Sequence, residues 1–181
     1  MSQVPIELKW VQKVRESDGR AFEQLFRFYC QPLIHFVCHY VQDVPTAENL
    51  VQEVFLAVWA NRSRLDPDKN VKTYLYTAAR NQALKHLRHN EVEDRSAADV
   101  SSALPRQDTP EDELRQKEIS TAVARAVAAL PEKTRIVFSM NRYDHLTYAE
   151  IAQIQGVSIK TVETQMGRAL EFLRGRLEGL F

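Results

Sequence analysis

The segment that most limits what this chain can fold into is "EVEDRSAADVSSALPRQDTPEDELRQKE", Glu91–Glu118. It carries Pro105 and Pro110, is rich in Ser, Asp and Glu, and shows little apolar periodicity. A stretch of this composition cannot bury enough apolar surface to offset the entropy of ordering it. It therefore reads as a linker, and the 181 residues are expected to form two small domains rather than one. The expected division is 1–91 for the first domain, 92–117 for the linker and 118–181 for the second. Near the end of the segment, Pro110 followed by Glu111, Asp112 and Glu113 reads as a helix start, with proline first and carboxylates in the first turn.

The fold class expected is all-α. There are only five glycines and few alternating β-branched runs, and the 44% hydrophobic and 27% charged residues suit a soluble globular chain. No run approaches the roughly 18 apolar residues of a membrane span, and "MSQVPIELKW" is charged where a signal peptide needs an apolar core. A cytoplasmic protein without stable membrane insertion is the expectation, with Cys30 and Cys38 as buried thiols.

Net charge is zero, yet the charge is segregated. Residues 60–90 hold seven Lys/Arg against two Asp/Glu, whereas 91–118 hold four against nine. A basic block thus precedes an acidic one, and the basic block is a candidate phosphate-binding face.

Three helical stretches fill the first part. In "AFEQLFRFYCQPLIHFVCHYV" the apolar spacing is that of a helix burying one face, and Pro32 is expected to kink or split it. In "AENLVQEVFLAVWANR" the stripe is Ala47, Leu50, Val51, Val54, Phe55 and Val58, leaving Glu48, Asn49, Gln52 and Glu53 on the other side. In "VKTYLYTAARNQALKHLR" a polar strip of Thr73, Thr77, Arg80, Asn81 and Arg88 is expected. A basic loop, "NRSRLDPDKN", joins the last two.

The second part has helical stretches through "ISTAVARAVAAL" and "EKTRIVFSMNRY", and then "TYAEIAQIQGVSIKTVETQMGRAL". Thr147 and Glu150 make a capping box, Gly156 suits a left-handed turn, and Ser158 caps the next helix. Val157 and Val162 occupy the positions of a hydrophobic staple. The second helix carries an apolar stripe of Val162, Met166, Ala169, Leu170, Leu173 and Leu177, opposite Lys160, Thr161, Thr164 and Arg168. A helix–turn–helix puts such a helix in the major groove, N-terminal residues at base edges. Threonines suit a hydrogen bond or a thymine methyl, Lys160 can reach guanine, and Arg168 suits a phosphate.

These motifs resemble the extracytoplasmic-function sigma factors of the sigma-70 family. The resemblance rests on Leu130-Pro131, Arg135, Val137-Phe138, "LTYAEIA", "GVSIKTVE" and "RALEFLR" in the second domain, and on "AENLVQEVFLAVW" and "YLYTAARNQAL" in the first. It covers nearly the whole chain. It implies a non-catalytic subunit, needing no cofactor, that joins bacterial RNA polymerase core at the clamp of the largest subunit and the flap region and directs it to promoter DNA. It implies core binding through Glu48, Asn49, Gln52 and Glu53. Recognition and opening of the −10 element would fall to Arg62, Arg64, Lys69, Lys72, Tyr74, Tyr76, Arg80, Asn81 and Arg88. The −35 element would be read by Ser158, Lys160, Thr161, Thr164, Gln165 and Arg168. An anti-sigma factor is the further partner it implies. The sequence departs from the family pattern at Asn49, usually Asp, at Tyr74, often Trp, and at His145, commonly Gly.

Aromatic rings and cations such as these are what unstacked bases require, although plain core packing is the expectation for at least one of Tyr74 and Tyr76. About 20 extended linker residues reach roughly 70 Å, enough for two domains to contact sites more than one ~34 Å helical turn apart. Other chemistry fits less well. Cys30, His35, Cys38 and His39 lack a ligand pair of C-x-x-C type, and the calcium-like start at Asp66, Asp68 and Asn70 has Val71 and Thr77 where Gly and Glu belong. No metal site is expected, and no nucleotide loop or catalytic carboxylate pair stands out, so an enzyme is not expected. The alternative is a stand-alone helix–turn–helix regulator whose N-terminal bundle dimerises or binds an effector.

Overall fold

The computed structural model of the protein describes residues 6–93 and 121–178, with side chains from 7 to 90 and from 121 to 178. Its described elements are helical, in two compact units, Met1–Ser102 and Ala103–Phe181. The expected linker begins two residues too early, since the helix that ends the first unit runs to Glu93; from residue 94 on, the linker and the helix start expected at Pro110 lie outside the described residues.

The first unit contains α1 (Ile6–Arg15), α2 (Gly19–Val41), α3 (Val44–Ala60), a 3-10 turn (Arg62–Arg64) and α4 (Val71–Glu93). Acidic N-caps begin two of these helices. Asp18 accepts from the backbone N–H of Arg20 at 2.8 Å and Ala21 at 3.1 Å, and Asp43 accepts from that of Thr46 at 2.8 Å. Gln42, in the left-handed region at φ 56, closes α2. α2 is central. Its Phe26 lies 4.9 Å from Phe55 of α3, its Phe22 4.9 Å from Trp59, and its Phe36 5.0 Å from Tyr76 of α4, all between ring centroids. Edge-on and tilted ring pairs of this kind add to the burial of their area.

Pro32 does not split α2, which runs as one helix from Gly19 to Val41. The ring removes one backbone donor and crowds the carbonyl four residues back, but buried Tyr29, Leu33 and Phe36 secure the turns on either side. Tertiary packing holds the axis together.

In the second unit the helical residues 121–128 form α5, followed by α6 (Glu132–Arg142), α7 (Tyr148–Gln155) and α8 (Ile159–Leu177). The corner from α6 to α7 is tied by the side-chain amide of Asn141, which donates to the Leu146 carbonyl at 2.9 Å, and by the Leu146 N–H on the Met140 carbonyl at 3.0 Å. His145 sits in this corner at φ 51. The backbone here needs the left-handed region, which explains why glycine suits the position and why histidine, one of the more tolerant residues there, can replace it. The core is built from Val137, Met140, Leu146, Ile151, Ile154, Val162, Met166, Ala169 and Leu173.

Two outcomes follow for the first unit. Replacing fully buried Phe36 by Ala should cost about 3–5 kcal/mol, read as a lower denaturation midpoint for the first unit with the second unchanged. The Thr46 hydroxyl and N–H hold the Asp43 carboxyl below its ordinary 3.8. A depressed folded value means stability that is present above 3.8 and lost as pH falls through the folded value. Asp43→Asn, which still caps, should flatten the loss of stability below that pH in acid titrations of unfolding.

Candidate functional site

In the first unit, α3 turns Ala47, Leu50, Val51, Val54, Phe55 and Val58 inward. The reverse face exposes Glu48, Asn49, Gln52 and Glu53 together. At its C-terminal end stands Leu56, 69% exposed, which the sequence reading did not single out. An apolar side chain so open, among acids and amides, has the makings of an interface anchor. The spacing of four from Gln52 was the available signal. Glu53 accepts a hydrogen bond from the Gln82 side-chain amide of α4, which pins one end of this face. Burial, and after it the nearby Glu48 carboxylate, pushes the Cys30 thiol up, and burial, Asp43 and Glu48 do the same for Cys38. Both therefore stay protonated and suit packing rather than nucleophilic or metal chemistry.

The loop after α3 and the exposed side of α4 form a second surface. Arg62 is not free to meet DNA as expected. Its Nε donates to Ser17 Oγ at 2.8 Å, one Nη donates to the Trp59 carbonyl at 2.8 Å, and the guanidinium lies 4.5 Å from the Trp59 ring centroid. It clips the end of α3 to the corner before α2. Arg64 is exposed, and Lys69 is a solvent-exposed partner of Asp66 at 3.5 Å. Such a pair is weak and easily exchanged for a phosphate.

On α4, Tyr76 is 1% exposed with its ring tilted against Phe36, so of the two tyrosines it is the one that packs in the core. Tyr74 is 44% exposed. Thr73 is also buried rather than on the polar strip, because the helix turns it inward beside Tyr76. Thr77 donates to the Thr73 carbonyl at 2.7 Å, and Lys72 and Arg80 are half-buried. The exposed strip is instead Tyr74, Asn81, Lys85 and Arg88, at heptad-like spacing along one side of α4. Lys85 was missed, and that same spacing would have found it. Arg88 bends back to the Leu84 carbonyl at 3.2 Å.

The third surface is α7–α8. Both halves of the capping box are present: Thr147 Oγ1 accepts from the Glu150 N–H at 3.3 Å, and the Thr147 N–H donates to Glu150 Oε2 at 2.8 Å. Gly156 takes the left-handed turn at φ 66. Ser158 caps α8 by accepting from the Thr161 N–H at 3.1 Å, and its hydroxyl also bonds the Thr161 hydroxyl at 2.8 Å. These two side chains are thus engaged in starting the helix. Of the staple, Val162 is fully buried while Val157 remains 39% exposed.

Beyond the cap, Lys160, Thr164 and Arg168 are exposed on successive turns, with half-buried Gln165 at the margin. Thr164 donates to the Lys160 carbonyl at 2.8 Å, leaving its methyl and lone pairs for an outside partner. Ile159, 48% exposed, and the exposed Glu163 border this face and escaped the sequence reading. Leu170 leaves the apolar stripe, being 50% exposed, because Val162, Met166, Ala169 and Leu173 already complete the buried line.

Comparison with known proteins gives a consistent picture. The model of Sigma-70 region 2 matches residues 25–92 and that of Sigma-70, region 4 matches residues 120–173. The ECF RNA polymerase sigma factor SigW of Bacillus subtilis is 26% identical, the alignment covering 95% of this chain and 97% of that one. The ECF RNA polymerase sigma-E factor of Escherichia coli K12 is 29% identical, covering 94% and 93%. Among solved structures, CnrH in complex with the cytosolic domain of CnrY has a TM-score of 0.68 at 21% identity, covering 96% and 97% of the two chains. The sigma factor RpoE of Bartonella quintana, with the anti-sigma factor NepR, has a TM-score of 0.69 at 23% identity, covering 87% and 97%. The two structures share the fold. With two regions of one family matched in order, one in each unit, and with relatives aligned end to end, the chain belongs to the sigma-70 family as an extracytoplasmic-function sigma factor.

Proposed function

We propose that this protein joins bacterial RNA polymerase core and gives it promoter choice, without catalysing any reaction itself. One observation carries the reading: separate compact units each expose a face suited to a different partner, an acidic and amide face with a protruding leucine in the first and a helix–turn–helix in the second. The regulator alternative accounts poorly for the first unit, because an effector or dimerisation domain has no need of region 2 over residues 25–92.

On this reading the domains are 1–93 and 118–181, joined by 94–117. Glu48, Asn49, Gln52 and Glu53 dock on the clamp, with Leu56 as the apolar anchor they surround. Tyr74 stacks against an unpaired base of the −10 element, and Arg64, Lys69, Asn81, Lys85 and Arg88 line the strand around it, while Lys72 and Arg80 reach from the edge. Stacking on one aromatic is worth about 1–3 kcal/mol per base, which helps hold a strand open. Lys160 and Thr164 read base edges of the −35 element, and Arg168 anchors a phosphate beside them. Cytoplasmic residence fits a polymerase subunit. An anti-sigma factor is the further partner on this reading, since the Bartonella protein of the same fold was solved with one.

The two roles separate experimentally. Leu56→Asp should weaken binding to core polymerase by about 2 kcal/mol or more, roughly 30-fold, without lowering the melting temperature, since the side chain packs on little within the unit. Lys160→Ala with Thr164→Ala should abolish upstream promoter choice in transcription assays while core affinity stays as in the wild type. Loss of core binding in that double variant would contradict the assignment of the two domains.

A further inference from the structure

Arg62 heads the 3-10 turn that leads from α3 into the basic loop, and its guanidinium is committed within the unit. Nε donates to Ser17 Oγ at 2.8 Å and one Nη to the Trp59 carbonyl at 2.8 Å. The Trp59 ring under the cation lies in turn 4.9 Å from the Phe22 ring of α2. Neither acceptor is a carboxylate, and among the described residues no carboxylate pairs with Arg62. Its charge is therefore aimed but not neutralised.

Ser17, at the other end of this tie, closes α1 as the left-handed residue of a Schellman turn. Its N–H donates to the Val14 carbonyl at 2.9 Å, the next N–H, of Asp18, donates to the Lys13 carbonyl at 3.0 Å, and its φ is 68. Glycine is the usual residue there. Gln42 and His145 also take the left-handed region, so the conformation alone marks nothing. What singles Ser17 out is where its hydroxyl goes, to a cation 45 positions away at the head of the basic loop.

The turn Arg62–Arg64 is three residues long, and 3-10 hydrogen bonds hold such a turn poorly. It is secured from outside instead, by the Arg62 tie on one side and buried Leu65 on the other, and Arg64 stands exposed between them. Asn70, which accepts from the Thr73 N–H at 3.1 Å, fixes the far end of the loop on α4. We infer that Ser17 and Arg62 are positioning residues for promoter opening: their hydroxyl–guanidinium tie aims Arg64 and the loop at the strand whose base Tyr74 receives, and neither residue itself touches DNA. The inference rests on the −10 role proposed above for this surface.

The test uses the full chain as holoenzyme on a promoter that the wild type selects. It reads core affinity, melting temperature, and strand opening as the permanganate reactivity of −10 thymines. Ser17→Gly keeps the turn and removes the hydroxyl. It should melt within about 4 °C of the wild type and bind core equally well, while opening falls about three- to tenfold. Ser17→Asn, which tolerates the left-handed region and offers a side-chain carbonyl, should recover most of that loss. Arg62→Lys lacks the planar fork that bridges two acceptors over a ring, so it should fall as far as Ser17→Gly. Combining Ser17→Gly with Arg62→Lys should cost no more than either alone. Wild-type opening by Ser17→Gly would overturn the inference alone, as would failure of Ser17→Asn to restore opening. Opening and melting temperature lost together in Ser17→Gly would overturn it too, because the tie would then serve only the fold. A wild-type holoenzyme that opens no promoter would instead overturn the sigma-factor reading from which the inference starts.

Discussion

The ring packing of α2 against its neighbours is the interaction on which the first unit depends. Phe22 and Phe26 hold α3 through Phe55 and Trp59, and Phe36 holds α4 through Tyr76. Each of these helices has one face committed to α2, and the helical period decides what the reverse face offers. α3 is left with its acids, amides and Leu56. α4 is left with Tyr74, Asn81, Lys85 and Arg88. The exposed faces are therefore the outward consequence of an inward constraint, and losing the Phe36 ring would loosen the seat of α4 in particular.

The second unit obeys the same logic with different means. Its helices are short, and local devices set their ends: the Thr147–Glu150 box, the left-handed Gly156 and the Ser158 cap. These fix where α8 begins, and so which residues occupy its first turns outward. The exposed face of α8 is positioned by hydrogen bonds within a few residues of sequence, which is why Ser158 and Thr161 serve the helix start while Lys160 and Thr164 stay exposed.

That difference governs how much could be read without coordinates. Caps, turns and single apolar stripes are local, and those of α3, α7 and α8 were legible almost residue by residue. What escaped depended on neighbours distant in sequence. The sequence expects one of Tyr74 and Tyr76 in the core but not which; the Phe36 ring of α2 picks out Tyr76, and Thr73 is buried on the same side of α4. Arg62 looks like a phosphate ligand until Ser17, 45 positions away, takes its Nε. Pro32 looks like a break until packing on both sides keeps α2 whole. The exposure of Leu170 is likewise invisible to a periodicity that places it in the apolar stripe, whereas Leu56 already falls outside the stripe of α3.

The account makes the protein a bridge, with one unit gripping polymerase and strand-opening DNA and the other reading duplex upstream. The most direct measurement is run-off transcription from a pool of genomic promoter fragments by purified bacterial core polymerase, with and without this protein. The account predicts selective transcripts only when the protein is present, their templates sharing upstream sequence. Absence of such transcripts, together with tight binding of the protein alone to duplex DNA, would contradict it and favour a stand-alone regulator.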